Sequence, residues 1–359
     1  MKFLTALLLL WICTISAQMP SIKKFGGFDS PPYLTPTFLP SSSVNINWNT
    51  ARLESTVIAY DIIPALEETV RISGLASHHH IMLTNLLPGT DYYYKIVPYK
   101  EVYRFRTAPE FTDSVSFIVL GDTRSDSIKH QAVIDRIVQY DFDFLIHAGD
   151  LVVYGDDTDA WRKFFNIECP IISKVLFIPT IGNHERPYWQ YDTLLALPGA
   201  EYYYSVNYGN CHIICLNTEM QLTGPQRNWL INDLIETRQN PLIDWIFVTL
   251  HRPPYSSGSH GSQMDVRNAW CSIFSRYGVD IVFCGHDHSY ERTRPIDGVI
   301  YIICGGGGAP LYDVRKSEWT AYSEKTHHFC LVEIKRNRLE LKAIKPDGMV
   351  FDSLVINKF

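Results

Sequence analysis

Five short apolar runs in this chain each lead into a residue that can ligate a metal. That repetition constrains the fold more than any other feature. Asp280-Ile281-Val282-Phe283-Cys284 leads into Gly285-His286-Asp287-His288, and Phe117-Ile118-Val119-Leu120 into Gly121-Asp122. Phe144-Leu145-Ile146-His147-Ala148 leads into Gly149-Asp150, and Phe177-Ile178-Pro179-Thr180-Ile181 into Gly182-Asn183-His184-Glu185. The fifth run, Trp245-Ile246-Phe247-Val248-Thr249-Leu250, meets His251. Continuous apolar runs of this length, most of them closed by glycine, read as fully buried strands. Side chains at such strand ends are held on rigid elements, and His286 and His288 are both free to reach one site.

Between these runs the apolar period lengthens. Residues 129–140 place Val133, Ile134, Ile137 and Val138 on one face, and residues 226–237 do the same with Trp229, Leu230, Leu234 and Ile235. A third helix is expected over 264–277. Strands alternating with helices imply a sheet covered by helices, with ligands at strand ends. The C-terminal third returns to strands, including Val299-Ile300-Tyr301-Ile302-Ile303 and Phe329-Cys330-Leu331-Val332-Glu333-Ile334.

Residues 31–109 look different. Val44-Asn45-Ile46-Asn47-Trp48, Thr56-Val57-Ile58-Ala59-Tyr60, His79-His80-Ile81-Met82-Leu83, Tyr92-Tyr93-Tyr94-Lys95-Ile96-Val97 and Val102-Tyr103-Arg104-Phe105-Arg106-Thr107 are short strand-like runs with Pro and Gly turns between them. That spacing predicts a β-sandwich. A chain of 359 residues is long for a single core, and two units are expected. Ala108-Pro109-Glu110 marks the boundary, so the second unit spans 110–359. Within the first, Leu86-x-Pro88-Gly89-Thr90-x-Tyr92-x-Tyr94 resembles the fibronectin type III family.

Residues 1–17 read as a secretory signal peptide. Lys2 precedes an apolar stretch over 3–15 that is too short to span a membrane comfortably, and Thr14-Ile15-Ser16-Ala17 supplies small residues for cleavage. Residues 18–30 are expected to be a linker. No other run reaches transmembrane length, so the mature protein is expected to be exported: secreted, periplasmic or at the cell surface. Seven cysteines remain beyond Cys13, an odd number scattered through strands, with no CxxC pair. They read as buried core residues rather than a disulfide framework, with one or two bridges left open. A formal net charge of −6 argues against a nucleic-acid surface.

Asp122, Asp150, Asn183, His251, His286 and His288 are together too many N and O ligands for one tetrahedral zinc. They suit two adjacent divalent metals sharing a carboxylate. Two metals in that arrangement clamp a phosphoryl group for in-line attack, polarise its oxygens and lower the pKa of a bound water.

In order and type, Gly121-Asp122, Gly149-Asp150, Gly182-Asn183-His184-Glu185, His251 and Gly285-His286-x-His288 resemble the five motifs of the calcineurin-like metallophosphoesterases. Gly285-His286-Asp287-His288-Ser289-Tyr290-Glu291-Arg292, with the fibronectin-like N-terminal part, resembles the plant-type purple acid phosphatases. The resemblance implies an α/β catalytic domain, a β-sandwich flanked by helices, behind the all-β N-terminal sandwich. It implies two metal ions drawn from iron, manganese and zinc, divalent or of mixed valence. By the same resemblance Asp150 bridges them, Asp122 and His288 complete the first site, and Asn183, His251 and His286 hold the second. His184 would protonate the leaving oxygen, and His260, nine residues after His251, would contact substrate.

The chain departs from the family at two places. The iron-binding tyrosine position holds Val153, with Tyr154 one residue later and therefore re-aimed. Arg124 stands two residues after Asp122, where many relatives carry a metal-binding histidine. Its guanidinium suits phosphate rather than metal, which makes it a transition-state stabiliser or a surface partner of Asp126. His130 is a candidate replacement ligand for the first metal. Gly305-Gly306-Gly307-Gly308 lacks the Lys-Ser/Thr of a phosphate loop and reads as a turn near the site rim. His78-His79-His80 reads as strand packing. The expected function is hydrolysis of a small phosphomonoester. A phosphodiesterase on nucleotides or phospholipid headgroups, or an inactive cell-surface binding protein, are the alternatives.

Overall fold

The computed structural model describes residues 28–199 and 202–358. The expected signal peptide and residues 18–27 of the expected linker lie outside the described residues.

The chain begins with β1 (Phe28–Thr35), β2 (Val44–Asp61), β3 (Glu68–Leu83), β4 (Asp91–Ile96) and β5 (Tyr103–Arg106). β1 thus starts within the stretch read as linker. The runs at 44–48 and 56–60 are not separate strands. Both belong to β2, whose register against β3 shifts between Asn49 and Glu54. Such a bulge bends a strand, so both ends of β2 are buried while its middle is exposed. The three histidines are structural, as their strand pattern implied. His79 lies against Trp48 (ring centroids 4.7 Å) between the hydroxyls of Thr50 and Thr56, and His80 Nε2 donates to the Thr193 carbonyl at 2.8 Å.

The second half follows with β6 (Ser114–Leu120), α1 (Ser127–Ile137), β7 (Phe144–His147), α2 (Thr158–Ile172), β8 (Leu176–Pro179), a 3₁₀ turn (Asn183–Glu185) and α3 (Trp189–Leu194). After β9 (Tyr204–Tyr208) and β10 (Cys211–Leu216) come α4 (Pro225–Gln239) and β11 (Trp245–Leu250). The next helical stretch is interrupted: α5 (Met264–Val266) passes through a π-turn (Arg267–Cys271) into α6 (Ser272–Arg276). The chain closes with β12 (Ile281–Cys284), β13 (Tyr290–Thr293), β14 (Ile300–Cys304), β15 (Thr320–Glu324), β16 (Phe329–Lys335), β17 (Arg338–Ile344) and β18 (Val350–Asn357). All three expected helices are present. α1 starts two residues earlier than its apolar period, because Asp126 caps it by accepting from the Ile128 and Lys129 amides. α2 was not anticipated. Its Asp157 cap and its apolar residues Trp161, Phe164, Phe165 and Ile172 are helical signals, but Pro170 and the buried Glu168 interrupt the pattern.

Two sheets face each other. One runs β18-β17-β16-β6-β7-β8-β1-β2-β4-β5, with β3 pairing β2; the other runs β15-β13-β14-β12-β11-β10-β9. Phe117 meets Phe247 edge-on at 5.1 Å between the layers and stacks on Phe144 at 4.8 Å. Leu230, Leu234, Trp270 and Phe274 from the helices cover the outer face of the second sheet. The two halves of the chain share the first sheet, through a parallel contact of Leu34 in β1 with Leu176 in β8. Tyr33 and Tyr94 tie them further, donating to the carbonyls of Leu194 (2.5 Å) and Ser173 (2.8 Å). β6, β7 and β8 run parallel, as do β10, β11 and β12. Parallel neighbours bring their carboxyl ends to one edge, which is where an open α/β sheet places ligands.

Candidate metal centre

The six residues read as ligands come together at that edge. Asp122 follows β6, Asp150 follows β7, Asn183 opens the turn after β8, His251 follows β11, and His286 and His288 follow β12. Three of them hold left-handed backbone: Asp122 at φ 57°, Asp150 at 58° and His286 at 72°. Aspartate tolerates this region better than most residues, and such strain concentrates at functional sites. The neighbouring glycines leave room for the donors. A Cβ on Gly285 would lie 2.6 Å from Asp122 Oδ2, and one on Gly149 would lie 2.8 Å from His251 Nδ1.

Two groups of donors meet at Asp150. On one side, His251 Nε2 lies 3.3 Å from Asp150 Oδ1, 3.2 Å from Asn183 Oδ1 and 3.3 Å from His286 Nδ1. On the other, His288 Nε2 lies 3.4 Å from Asp122 Oδ1, and Arg124 reaches both Asp150 Oδ2 (Nε, 3.1 Å) and His288 Nε2 (3.2 Å). The imidazoles are oriented from behind. His251 Nδ1 donates to the Ala148 carbonyl at 2.9 Å and His288 Nδ1 to the Pro310 carbonyl at 2.7 Å, which leaves each Nε2 lone pair facing inward.

The donor set fits divalent metals. Asp122, Asp150 and His251 each bring a ligand atom within 4.8 Å of the others. Asp122 Oδ1 is buried with no hydrogen-bond partner, a costly state for a carboxylate oxygen unless a cation meets it. Burial opposes charge on His251, but the Asp150 and Asp122 carboxylates outweigh it and raise its pKa. Burial likewise works against the Asp150 carboxylate, and His251, His184 and Arg124 overcome it and lower its pKa. His286 is lowered, first by burial and then by His251 and Arg252. Neutral imidazoles and ionised carboxylates are the forms that bind metal, so the shifts of Asp150 and His286 favour binding, while on His251 a cation between the carboxylates would take the place of the ring proton.

The remaining sequence candidates surround this core. His184 is a quarter exposed, with Nε2 3.9 Å from Asp150 Oδ2 and Nδ1 donating to the Val153 carbonyl at 2.7 Å. His260 is exposed at the rim, its ring stacked on His286 at 4.3 Å. Arg124 turns into the site and not toward Asp126, whose carboxylate is occupied capping α1. His130 is paired with Glu168 (Nε2 to Oε1, 2.8 Å). Tyr154 is 63% exposed. The glycine tract borders the first donor group: the Gly307 amide donates to the Gly121 carbonyl at 2.9 Å, and Ala309 to Asp122 at 2.8 Å.

Four participants were missed in the sequence. Arg252 lies 3.0 Å from His286 Nε2 and is gripped by Glu219 at 2.5 and 3.0 Å. Glu219 sits past the end of β10, a sixth strand end whose following residues carry no ligand pattern of their own. Tyr312 stacks on His288 at 4.1 Å from the loop after the glycine tract, with no local signal at all. Glu185 is fully buried and accepts from the amides of Gly182 (2.6 Å), Leu151 (2.7 Å) and Asp150 (3.1 Å), fixing two ligand loops together. Its place within the third motif is the signal that could have found it. Burial and then the Asp150 carboxylate push its pKa up to about 7. Glu185→Ala leaves these donors without a partner. At about 1–3 kcal/mol per orphaned group, the variant is expected to lose roughly 3 kcal/mol or more of unfolding free energy in denaturant melts.

The calcineurin-like phosphoesterase family profile matches residues 115–290. Acid phosphatase type 7 of Mus musculus is 30% identical over 339 residues, covering 77% of this chain and 76% of that protein. Purple acid phosphatase 21 of Arabidopsis thaliana is 30% identical over 258 residues, covering 64% of this chain and 58% of that protein. The chain therefore spans little more than half the length of this plant relative. Among solved structures, a purple acid phosphatase from yellow lupin seeds superposes with a TM-score of 0.81 over 91% of this chain and 74% of that one. At 19% identity that match shows a shared fold. On these matches, and on a strand-end donor set that fits two metal ions, the chain belongs to the calcineurin-like phosphoesterases, in their purple acid phosphatase-like branch.

Proposed function

We propose that this protein is an exported metal-dependent phosphomonoesterase. The observation that carries the reading is the meeting of two donor groups at Asp150, with His184 and Arg124 on the same carboxylate. Asp122, Asp150 and His288 would hold one divalent ion, and Asp150, Asn183, His251 and His286 the other. The pair of ions supplies charge to the phosphoryl oxygens and makes water a stronger nucleophile.

The chain's own residues do the rest. The Val153 carbonyl fixes the His184 proton on Nδ1, so Nε2 is the atom that carries a proton to and from the reacting oxygens. An imidazole there is suited to protonate a departing alkoxide. Arg124 presents a guanidinium that is 13% exposed in its side chain, placed to accept charge building on phosphate. His260, stacked on His286 at the rim, stands where a leaving group would pass. The valine at the tyrosine position and the exposure of Tyr154 favour a centre without a tyrosine–iron charge-transfer band.

Arg124→Lys keeps the charge but loses the planar fork. It is expected to lower kcat/KM by about a hundredfold, the scale for one preorganised donor, with metal content unchanged. Equal turnover would remove Arg124 from the chemistry. The reading as a whole is tested by metal analysis and an absorption spectrum of the purified protein, with turnover of aryl phosphate mono- and diesters. About two ions per chain, no visible band and monoester preference are expected. Diester preference would transfer the chain to the phosphodiesterase reading. Absence of both metal and turnover after reconstitution would leave a binding protein.

A further inference from the structure

Behind this centre lies a second set of donors that phosphoester hydrolysis does not use. Cys304 ends β14, Cys330 is near the start of β16, and His328 immediately precedes β16. All three are 0% exposed. β14 and β16 belong to different sheets, so the three residues join the two layers. The sulfurs of Cys304 and Cys330 are 3.5 Å apart, and one donor atom from each of the three residues falls within 4.8 Å of the others.

The imidazole is oriented as a ligand would be. His328 Nδ1 donates to the Thr326 carbonyl at 3.0 Å, which fixes the proton there and leaves a lone pair on Nε2. That nitrogen is buried and has no hydrogen-bond partner. Burial keeps the ring neutral, its pKa down to about 4. A buried acceptor without a donor is costly, whereas an imidazole with one nitrogen held by a backbone carbonyl and the other free is the usual arrangement around a bound ion.

We propose that Cys304, Cys330 and His328 bind a thiophilic d10 cation, zinc(II) or copper(I), at a structural site distinct from the dinuclear centre. With metal–sulfur bonds of about 2.3 Å, sulfurs 3.5 Å apart subtend about 100° at the ion, an unstrained angle. Binding converts two thiols to thiolates and releases two protons to solvent, with no change of oxidation state. The product is neutral for zinc(II) and carries one negative charge for copper(I). Burial raises the Cys330 thiol well above its ordinary value, so the ion's charge takes the place of the protons. Because the site is sealed, the ion is taken up as the chain folds. From Cys304 the glycine tract runs directly to Asp122, and the His328 amide donates to the Gly306 carbonyl at 3.1 Å. The site therefore anchors the segment that backs the first group of phosphoesterase ligands.

X-ray absorption at the zinc and copper edges tests this on the full chain, expressed with both metals and treated with EDTA. A sulfur shell at about 2.3 Å is expected at one edge, and the edge identifies the ion. The dinuclear donors are all oxygen and nitrogen, so a sulfur shell cannot arise from them and does not depend on phosphoesterase activity. The Cys304→Ser, Cys330→Ser double variant should lose that shell and the ion that resists EDTA. If the variant is insoluble, the wild-type spectrum decides. No sulfur shell at either edge, or a Cys304–Cys330 disulfide in a non-reducing peptide map, overturns the site.

Discussion

Asp150→Ala should empty both metal positions and lower phosphomonoester turnover by at least about a thousandfold. The size follows from the several kcal/mol that metal charge contributes to a phosphoryl transition state, at 1.36 kcal/mol per factor of ten. The direction follows from geometry. Asp150 is the one carboxylate with an oxygen toward each donor group: Oδ1 toward His251 at 3.3 Å, and Oδ2 toward Arg124 at 3.1 Å, beside His288. Removing it leaves His251 with Asp122 as its remaining facing carboxylate on one side and takes the carboxylate partner from Arg124 on the other. Asp122→Ala, by contrast, should empty one position and leave the other partly filled. Elemental analysis of both variants separates the cases. An Asp150→Ala protein that keeps two ions would sink the bridging assignment, and so would one that keeps its turnover.

His184→Ala is the second large effect and has the opposite metal signature. Both ions should remain, because His184 Nε2 stands 3.9 Å from Asp150 Oδ2 and completes neither donor group. The rate should fall by about a hundredfold or more on esters with poor leaving groups, within the range for a positioned general acid. Esters whose leaving groups depart without a proton should slow far less. The comparison is a plot of log kcat against leaving-group pKa, steeper for the variant than for the parent. Parallel lines would assign His184 to positioning phosphate and remove it as the proton donor. The backbone carbonyl of Val153 fixes its tautomer, so the loss should not be recovered by His184→Gln, which cannot exchange a proton.

Most of the metal centre was legible in one dimension because strand ends are local features. An apolar run that stops at Gly-Asp or Gly-Asn-His declares both the strand and the donor it carries, and the left-handed φ of Asp122 and Asp150 is foreshadowed by the glycines beside them. The helices α1 and α4 announced themselves through their apolar period. α2 did not, because Pro170 and the buried Glu168 break a pattern that only its packing makes coherent. The single strand β2 reads as two runs because its bulge looks in sequence like a turn.

What the sequence determined by itself is the list of candidate metal donors, their order, and the strand ends that present them, since each is a property of a few consecutive residues. What only the tertiary structure decided is which distant groups meet those donors. Arg124 turns toward Asp150 and His288, and Glu219 holds Arg252 beside His286. Glu185 ties the second and third loops, Tyr312 covers His288, and Cys304 and Cys330 face each other from separate sheets. Sequence spacing fixes which face of a strand a side chain takes. Its partner is chosen by how two sheets pack, and that choice depends on contacts summed over the whole core.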